Sequence, residues 1–390
     1  MDTNEKIIIM RSRIVLLLIL TLLFLYTEIS TSNGTPSKSD TLNIEIGRIP
    51  GAFPQLGFAC ELEIGPLKNL FATPGLISDL KEMNANISLA LIDLSQERAE
   101  VVQQLNNAGI PVIAWLALPR EQGYYMNASN STEAIARFAN FEKWTNKYNL
   151  KWAGVGLDIE PNFAEFVTLK KSSRWKLIST ILDRSMSLKR LSQSQKARVV
   201  YTGLIKKIED HGYPVQTYQL SFIGDERKVH STLLDRVIGV VSAKGKTEAM
   251  MIYSSFNHNF GSAQVWSYGP DAQAIVVGIT GKGADTTSKF VPLNWEELSR
   301  DLIVASHFTN TIGIFSLEGC VQQGFLPLLK NFDWNQKVIL SGESIEKVAH
   351  FRKVIQIAIW TVTNLLYFIA LIVIFILWRL WCRHRRKTPS

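Results

Sequence analysis

Short apolar runs, rich in branched and aromatic side chains, recur along this chain with longer amphipathic or polar stretches between them. That alternation is the pattern of βα units around a parallel sheet, whose strands are buried on both faces. Strands are predicted at LGFACELE (56–63), ISLALIDL (87–94), PVIAWLAL (111–118), AGVGLDIE (153–160), RVVYTGL (198–204), AMMIYSS (249–255), AIVVGIT (274–280) and IGIFSLEG (312–319). Helices are predicted between several of them, among them 97–109, which ends in a glycine stop, and 294–308, with apolar residues at helical spacing. Eight strands with helical crossovers predict an α/β fold, a closed (β/α)8 TIM barrel. VQTYQLSF (215–222) is a further strand-like run and reads as an excursion after the fifth strand; otherwise it is a strand and one of the eight is not. An open doubly wound sheet competes with the barrel, but no glycine-rich phosphate loop follows the first strand.

The ends of the chain carry a different signal. VIQIAIWTVTNLLYFIALIVIFILW (354–378) has no formal charge and is long enough for a transmembrane helix; the competing reading is a buried core helix. Trp360, Trp378 and Trp381 suit its interfaces, and the basic run after it places the tail on the cytoplasmic side. IVLLLILTLLFLY (14–26), behind Arg11 and Arg13, fits a signal-peptide core or an uncleaved anchor. The expected organisation is a signal peptide or N-terminal anchor over 1–32, a polar linker over 33–46 and an extracytoplasmic barrel over 47–351. A transmembrane helix over 354–378 and a basic tail over 379–390 complete a single-pass or two-pass membrane protein. The formal net charge is +8, but positions 14–351 balance to zero, so the body has no signature of a nucleic-acid partner.

The acids with the strongest claim to a function end the fourth predicted strand. Side chains two apart on a strand point the same way, so Gly156, Asp158 and Glu160 share one face. At the C-terminal end of a barrel strand that face lines the mouth, where catalytic groups of this fold sit. A like-charged, partly desolvated pair retains a proton, as a general acid must. The competing reading is a pair held by a basic neighbour such as Lys151 or Arg198.

This stretch resembles the fourth-strand motif D-G-x-D-x-D-x-E of family 18 glycoside hydrolases, the chitinases and endo-β-N-acetylglucosaminidases. Gly154, Asp158 and Glu160 match it, whereas Ala153 and Gly156 stand where the family has its first two aspartates. MIYSS resembles the family's M-x-Y-D at the sixth strand, through Met251 and Tyr253, with Ser254 in place of the aspartate. The resemblance implies Glu160 as the acid that protonates the leaving oxygen. It implies Asp158 as the residue orienting the substrate N-acetyl group, and Tyr253 as a contact to that group. With Gly156 at the middle position, one carboxylate of the family's relay is missing.

Other strand ends offer Glu61, Glu63, Asp93 and Glu318, of which Glu61 or Glu318 could supply the second carboxylate of a glycosidase. Trp115, Tyr124, Tyr125, Tyr201, Tyr218, Trp266 and Tyr268 are candidate faces for sugar rings, with core packing as the ordinary alternative. LPREQGYYMNASN (118–130) has the composition of a binding loop. The candidate substrate-binding residues are therefore Glu61, Trp115, Tyr201 and Glu318. Cys60 and Cys320 would meet across the closure between the first and last strands and are expected to form a disulfide; Cys382 is a candidate for S-palmitoylation. Sequons stand at Asn33, Asn86, Asn127 and Asn130. The six histidines and three cysteines show no metal-ligand spacing, no cofactor is implied, and no G-x-S-x-G elbow occurs. The expected protein is a membrane-anchored glycoside hydrolase acting on glycan through Glu160. Two alternatives are a catalytically silent barrel that binds polysaccharide or protein, and a metal-dependent phosphodiesterase using Asp158, Glu160 and Glu61.

Overall fold

The computed structural model describes residues 43–385, apart from 50, 52, 163–164, 166–167, 169–171 and 282–290; of residues 174, 380 and 383–385 only the backbone is described. The expected leader (1–32), the sequon at Asn33 and the last five residues of the basic tail lie outside the described residues.

Strand β1 (Ile44–Ile46) is followed by β2 (Gln55–Cys60), β3 (Asn86–Leu91), β4 (Val112–Leu116), β5 (Gly154–Asp158), β6 (Val215–Leu220), β7 (Thr247–Met251), β8 (Ala274–Gly278), β9 (Thr311–Phe315) and β10 (Val338–Leu340). β2 to β9 close a barrel in chain order, with every neighbouring pair parallel, including the β2–β9 seam. The closed (β/α)8 barrel predicted from the alternation is therefore present. β1 and β10 pair antiparallel outside it, so the end of the expected linker is a strand.

The fifth barrel strand is not where the sequence placed it. RVVYTGL lies inside the helix Leu188–Asp210, and VQTYQL is the strand. Ala197, Tyr201, Leu204, Ile205 and Ile208 are buried along that helix at spacings of three and four, one apolar stripe on the barrel. The other predicted runs hold strands, each ending two to four residues short of its predicted C-terminus, so Glu61, Asp158 and Glu160 come at or just past strand ends.

Alternation along the strands divides two cores. Phe58, Cys60, Ile87, Leu89, Val155, Leu157, Ile312 and Ile314 face the helices. Ala90, Trp115, Tyr218, Ala249, Met251, Ala274 and Val276 form the interior cluster, with Ala59, Tyr253 and Phe315 packed on it. The small residues on several strands make room for Trp115 and Tyr218.

Helix starts follow local rules. Ser95 caps the helix Gln96–Asn107 by accepting from the Arg98 amide, and Gly109, at φ +75°, turns the chain after it. Asn294 and Glu297 form a reciprocal capping box at the start of Trp295–Ser306. Arg98, fully buried, donates to Asp93 and to the carbonyls of Ala90 and Leu62, which ties the ends of β2 and β3 together. Asp93 is thus an ion-pair partner rather than a mouth acid.

The expected span over 354–378 is not one helix. Among the described residues no single helix is long and apolar enough to cross a membrane; the helices Gly342–Thr363 and Leu365–Arg379 pass such a test only together, and they bend by 58°. The first packs on the barrel. Arg352 donates to Asp225 and Asp271 and lies over the Tyr268 ring, while Ile359 packs with Leu233 and Val237. Thr363 bonds Ser231 at 2.7 Å, and the helix stops at Asn364.

Candidate functional site

Glu61 enters the barrel mouth from the end of β2, Asp158 is the last residue of β5, and Glu160 follows two residues later. The chain beyond β5 is held by the 118–130 loop: Met126 bridges Ile159, and Glu160 donates its amide to the Met126 carbonyl at 3.0 Å. The loop also delivers two hydroxyls, from Tyr124 and Tyr125, which donate to Glu61 Oε1 at 2.7 and 3.3 Å. Its Asn127 and Asn130 are buried and bonded to loop carbonyls, so both expected sequons are internal braces. Tyr201 belongs to that bracing: from the helix Leu188–Asp210 it donates to the Asn127 carbonyl at 2.9 Å, outside the mouth.

Asp158 is 3% exposed, and among the described residues its Oδ1 has no hydrogen-bond partner. Glu160 is half-buried. Arg198 pairs with Asp235 and Lys151 is exposed, so neither candidate base holds the two acids. With no cation bonded to them among the described residues, burial and neighbouring carboxylates act in one direction. Burial, then Glu160 and Glu61, push the Asp158 carboxyl well above its ordinary value. Burial and Glu61 lift Glu160 to about 7. Glu61, which accepts from two tyrosines, is the member best placed to carry the negative charge.

Gly156 sits one step deeper on the same face. A Cβ there would lie 2.9 Å from Tyr218 Cε2 and 3.4 Å from its hydroxyl oxygen. Tyr218 occupies the space that the missing middle aspartate would need, and its hydroxyl bonds Ser88. Ser88 escaped the sequence reading; the alternation of β3, which puts it on the same face as Ala90, is the signal that marks it as inward.

Trp115 packs against Tyr218 at 5.9 Å and Phe315 at 6.5 Å between ring centres, and its indole Nε1 is buried without a partner among the described residues. Tyr253 leans on Phe315 at 5.8 Å, and its hydroxyl lies within the field of Glu160, Asp158 and Glu61, which together with burial raises its pKa. Glu318 sits in the first turn of the helix Leu317–Gln322, and burial lifts its carboxyl to about 7. The structure thus brings together Glu61, Asp158, Glu160, Tyr253 and Trp115, with Glu318 at the β2–β9 seam.

Trp266 and Tyr268 lie elsewhere: Trp266 packs on His307 and Phe308, and Tyr268 donates to Asp225. Glu63 forms an exposed pair with Arg120. The expected disulfide is not formed. Cys60 and Cys320 are free and buried: Cys60, on the helix-facing side of β2, lies in the field of Glu318, and Cys320 contacts Thr280 Oγ1 at 3.6 Å. Among the described residues no three His, Cys, Asp or Glu side chains are placed to hold a metal ion, which leaves the phosphodiesterase reading without a ligand set.

Fold and site together define a (β/α)8 barrel with an acidic, aromatic-lined mouth. No protein-family model and no curated protein sequence matches the chain. Among solved structures it is similar to the PgaB (BpsB) glycoside hydrolase domain from Bordetella bronchiseptica, at 11% identity over 72% of this chain and 99% of that one, with a TM-score of 0.44. It is also similar to D-allulose 3-epimerase from Methylomonas sp., at 12% identity, 79% and 99% coverage and a TM-score of 0.35. Saccharomyces cerevisiae Gas2p, in complex with laminaritetraose and laminaripentaose, gives 11%, 79% and 67% coverage and 0.35. At these values no chemistry passes from those proteins to this chain.

Proposed function

We propose that this protein is a glycoside hydrolase-like barrel that acts on glycan with Glu160 as its general acid and is held at a membrane by its C-terminal helix. One observation carries the hydrolase reading: a half-buried carboxyl, lifted to about 7, shares the mouth with two further carboxyl groups and with aromatic side chains. At neutral pH about half of such groups hold a proton, and the protonated form can give it to a glycosidic oxygen. Asp158, whose Oδ1 is an open acceptor, suits an N–H or O–H of the bound sugar, and Tyr253, in the field of the same carboxyls, is the candidate donor to that sugar. Glu61, steadied by Tyr124 and Tyr125, keeps the field negative and so keeps the proton on Glu160.

The membrane reading rests on the helix Leu365–Arg385. Leu366, Tyr367, Leu371, Ile374, Phe375 and Leu377 are all exposed there, and arginines follow. From Leu365 to Trp378 the helix reaches roughly 20 Å, short of a hydrocarbon core of roughly 30 Å. Alone it is long enough to enter the bilayer but not to cross it.

The test is turnover of a panel of soluble oligosaccharides by the intact protein and by Glu160→Gln. A working acid predicts that kcat falls by roughly 10²-fold or more in the variant, with glycan binding retained. The wild-type rate should fall as pH rises through about 7. Undiminished turnover by the variant would refute the assignment of Glu160. Binding without turnover by the wild-type protein would make the silent barrel the better description.

A further inference from the structure

A cavity of about 450 Å³ lies between the docked helix and the barrel. Phe222, Leu234 and Phe260 form its barrel wall, and Phe351, Ile355 and Ile359 form the helix wall. Its size is that of a small-molecule site and its lining is mostly apolar. Arg352 keeps it in place: its bonds to Asp225 and Asp271 hold the helix beside the barrel on one flank of the cavity. Phe222 follows β6 and Phe260 lies in the loops after β7, so the cavity belongs to the end of the barrel that carries the mouth.

What fills it is indicated by the surface around it. Phe351, Ile357 and Trp360 are exposed on the docked helix, and past the break at Asn364 the exposed apolar surface continues through Leu366, Leu371, Phe375 and Trp378. The charge-free run 354–378 covers both helices. Ile357 and Trp360 lie on the far side of the docked helix from the cavity, whose helix wall is Phe351, Ile355 and Ile359. What joins the two is the charge-free run itself: it supplies the exposed terminal helix and, at Ile355 and Ile359, the helix wall of the cavity, which Phe351 leaves open to the surface. We infer that the cavity is a binding site for one hydrocarbon chain of a bilayer lipid, drawn up beside the docked helix. This rests on the membrane reading above. A saccharide borne on such a lipid would be tethered at the catalytic end of the barrel.

The test uses the full chain in phosphatidylcholine vesicles doped with a phosphatidylcholine that carries a photoreactive diazirine midway along one acyl chain. Flotation is measured first, and adducts are mapped by peptide mass spectrometry after illumination. The expected result is flotation, with adducts on the terminal helix and also on Phe222, Leu234 or Phe260. Ala358→Trp, which fills the cavity from the helix side, should lose the barrel-wall adducts and keep those on the terminal helix. Leu234→Trp fills it from the other wall and should do the same, so neither variant's folding alone decides the outcome. Flotation with adducts confined to the terminal helix overturns the cavity proposal and leaves the membrane reading intact. Barrel-wall adducts that survive both substitutions overturn it as well. Failure to float overturns both.

Discussion

Gly156 is where the residue scale is most informative. The position of the family's middle aspartate is taken by the Tyr218 ring, 2.9 Å from where a Cβ would stand. Gly156→Asp should therefore destabilise the protein by roughly 1–3 kcal/mol through overpacking, read as a lower unfolding midpoint in urea. Gly156→Asp combined with Tyr218→Ala should recover part of that loss, because the ring that clashes is gone; strict additivity of the two costs would contradict the packing account. The importance of Asp158 and Glu160 was legible because two acids in an apolar run need a reason and strand parity puts both on one side. The hydroxyl pair of Tyr218 and Ser88 was not legible, since it joins β6 to β3 and depends on barrel closure. The same limit applies to the cysteines. Closure does make β2 and β9 neighbours, but parity turns Cys60 toward the helices, into the core outside the barrel.

Among the elements, the docked helix is the one whose extent the sequence hid: the run expected as one span breaks at Asn364 into two helices bent by 58°. A charge-free run looks alike whether lipid or protein covers it, and only Arg352, two residues before the run, marks the difference. Its partner Asp225 is fully buried and also accepts from Tyr268 and Gln356. Arg352→Ala leaves that carboxylate without its cation, at a cost of about 3–5 kcal/mol. The expected outcome is selective: amides of 342–363 should exchange with deuterium far faster, while those of β2 to β5 keep most of their protection. Uniform loss of protection across the barrel would show that the helix is integral to the fold rather than docked on it. The fifth strand was misplaced for a related reason. A short apolar run does not reveal its period, and RVVYTGL is one part of a 23-residue helix. VQTYQL, read as an excursion after the fifth strand, is the strand itself, with Thr217 and Gln219 buried in it.

For the whole molecule the buried acids set a pH dependence. Burial raises Glu160, Glu226 and Glu318 to about 7 and Asp301 to about 6. A carboxyl whose folded pKa lies above its unfolded value binds its proton more tightly in the native state. Stability is then full below the ordinary carboxylate range and declines as pH rises through the raised values. Asp93, Asp271 and Glu297 act in the opposite sense, since bonds to Arg98, to Lys228 and Arg352, and to His258 outweigh burial and hold them low. Their contribution is lost only as pH falls below the ordinary range. The unfolding temperature should therefore peak near pH 5 and decline toward pH 7 and above. Glu226 isolates the effect because it lies away from the mouth, accepting from the Leu234 amide at 2.7 Å. Glu226→Gln keeps that acceptor and removes the titration, so the stability lost between pH 5 and 7 should shrink by about 2 kcal/mol. A midpoint that rises over this interval in the wild-type protein would mean that the buried acids are solvated or paired in solution. The same outcome would count against Glu160 as an acid, because its retained proton and this decline in stability have one physical source.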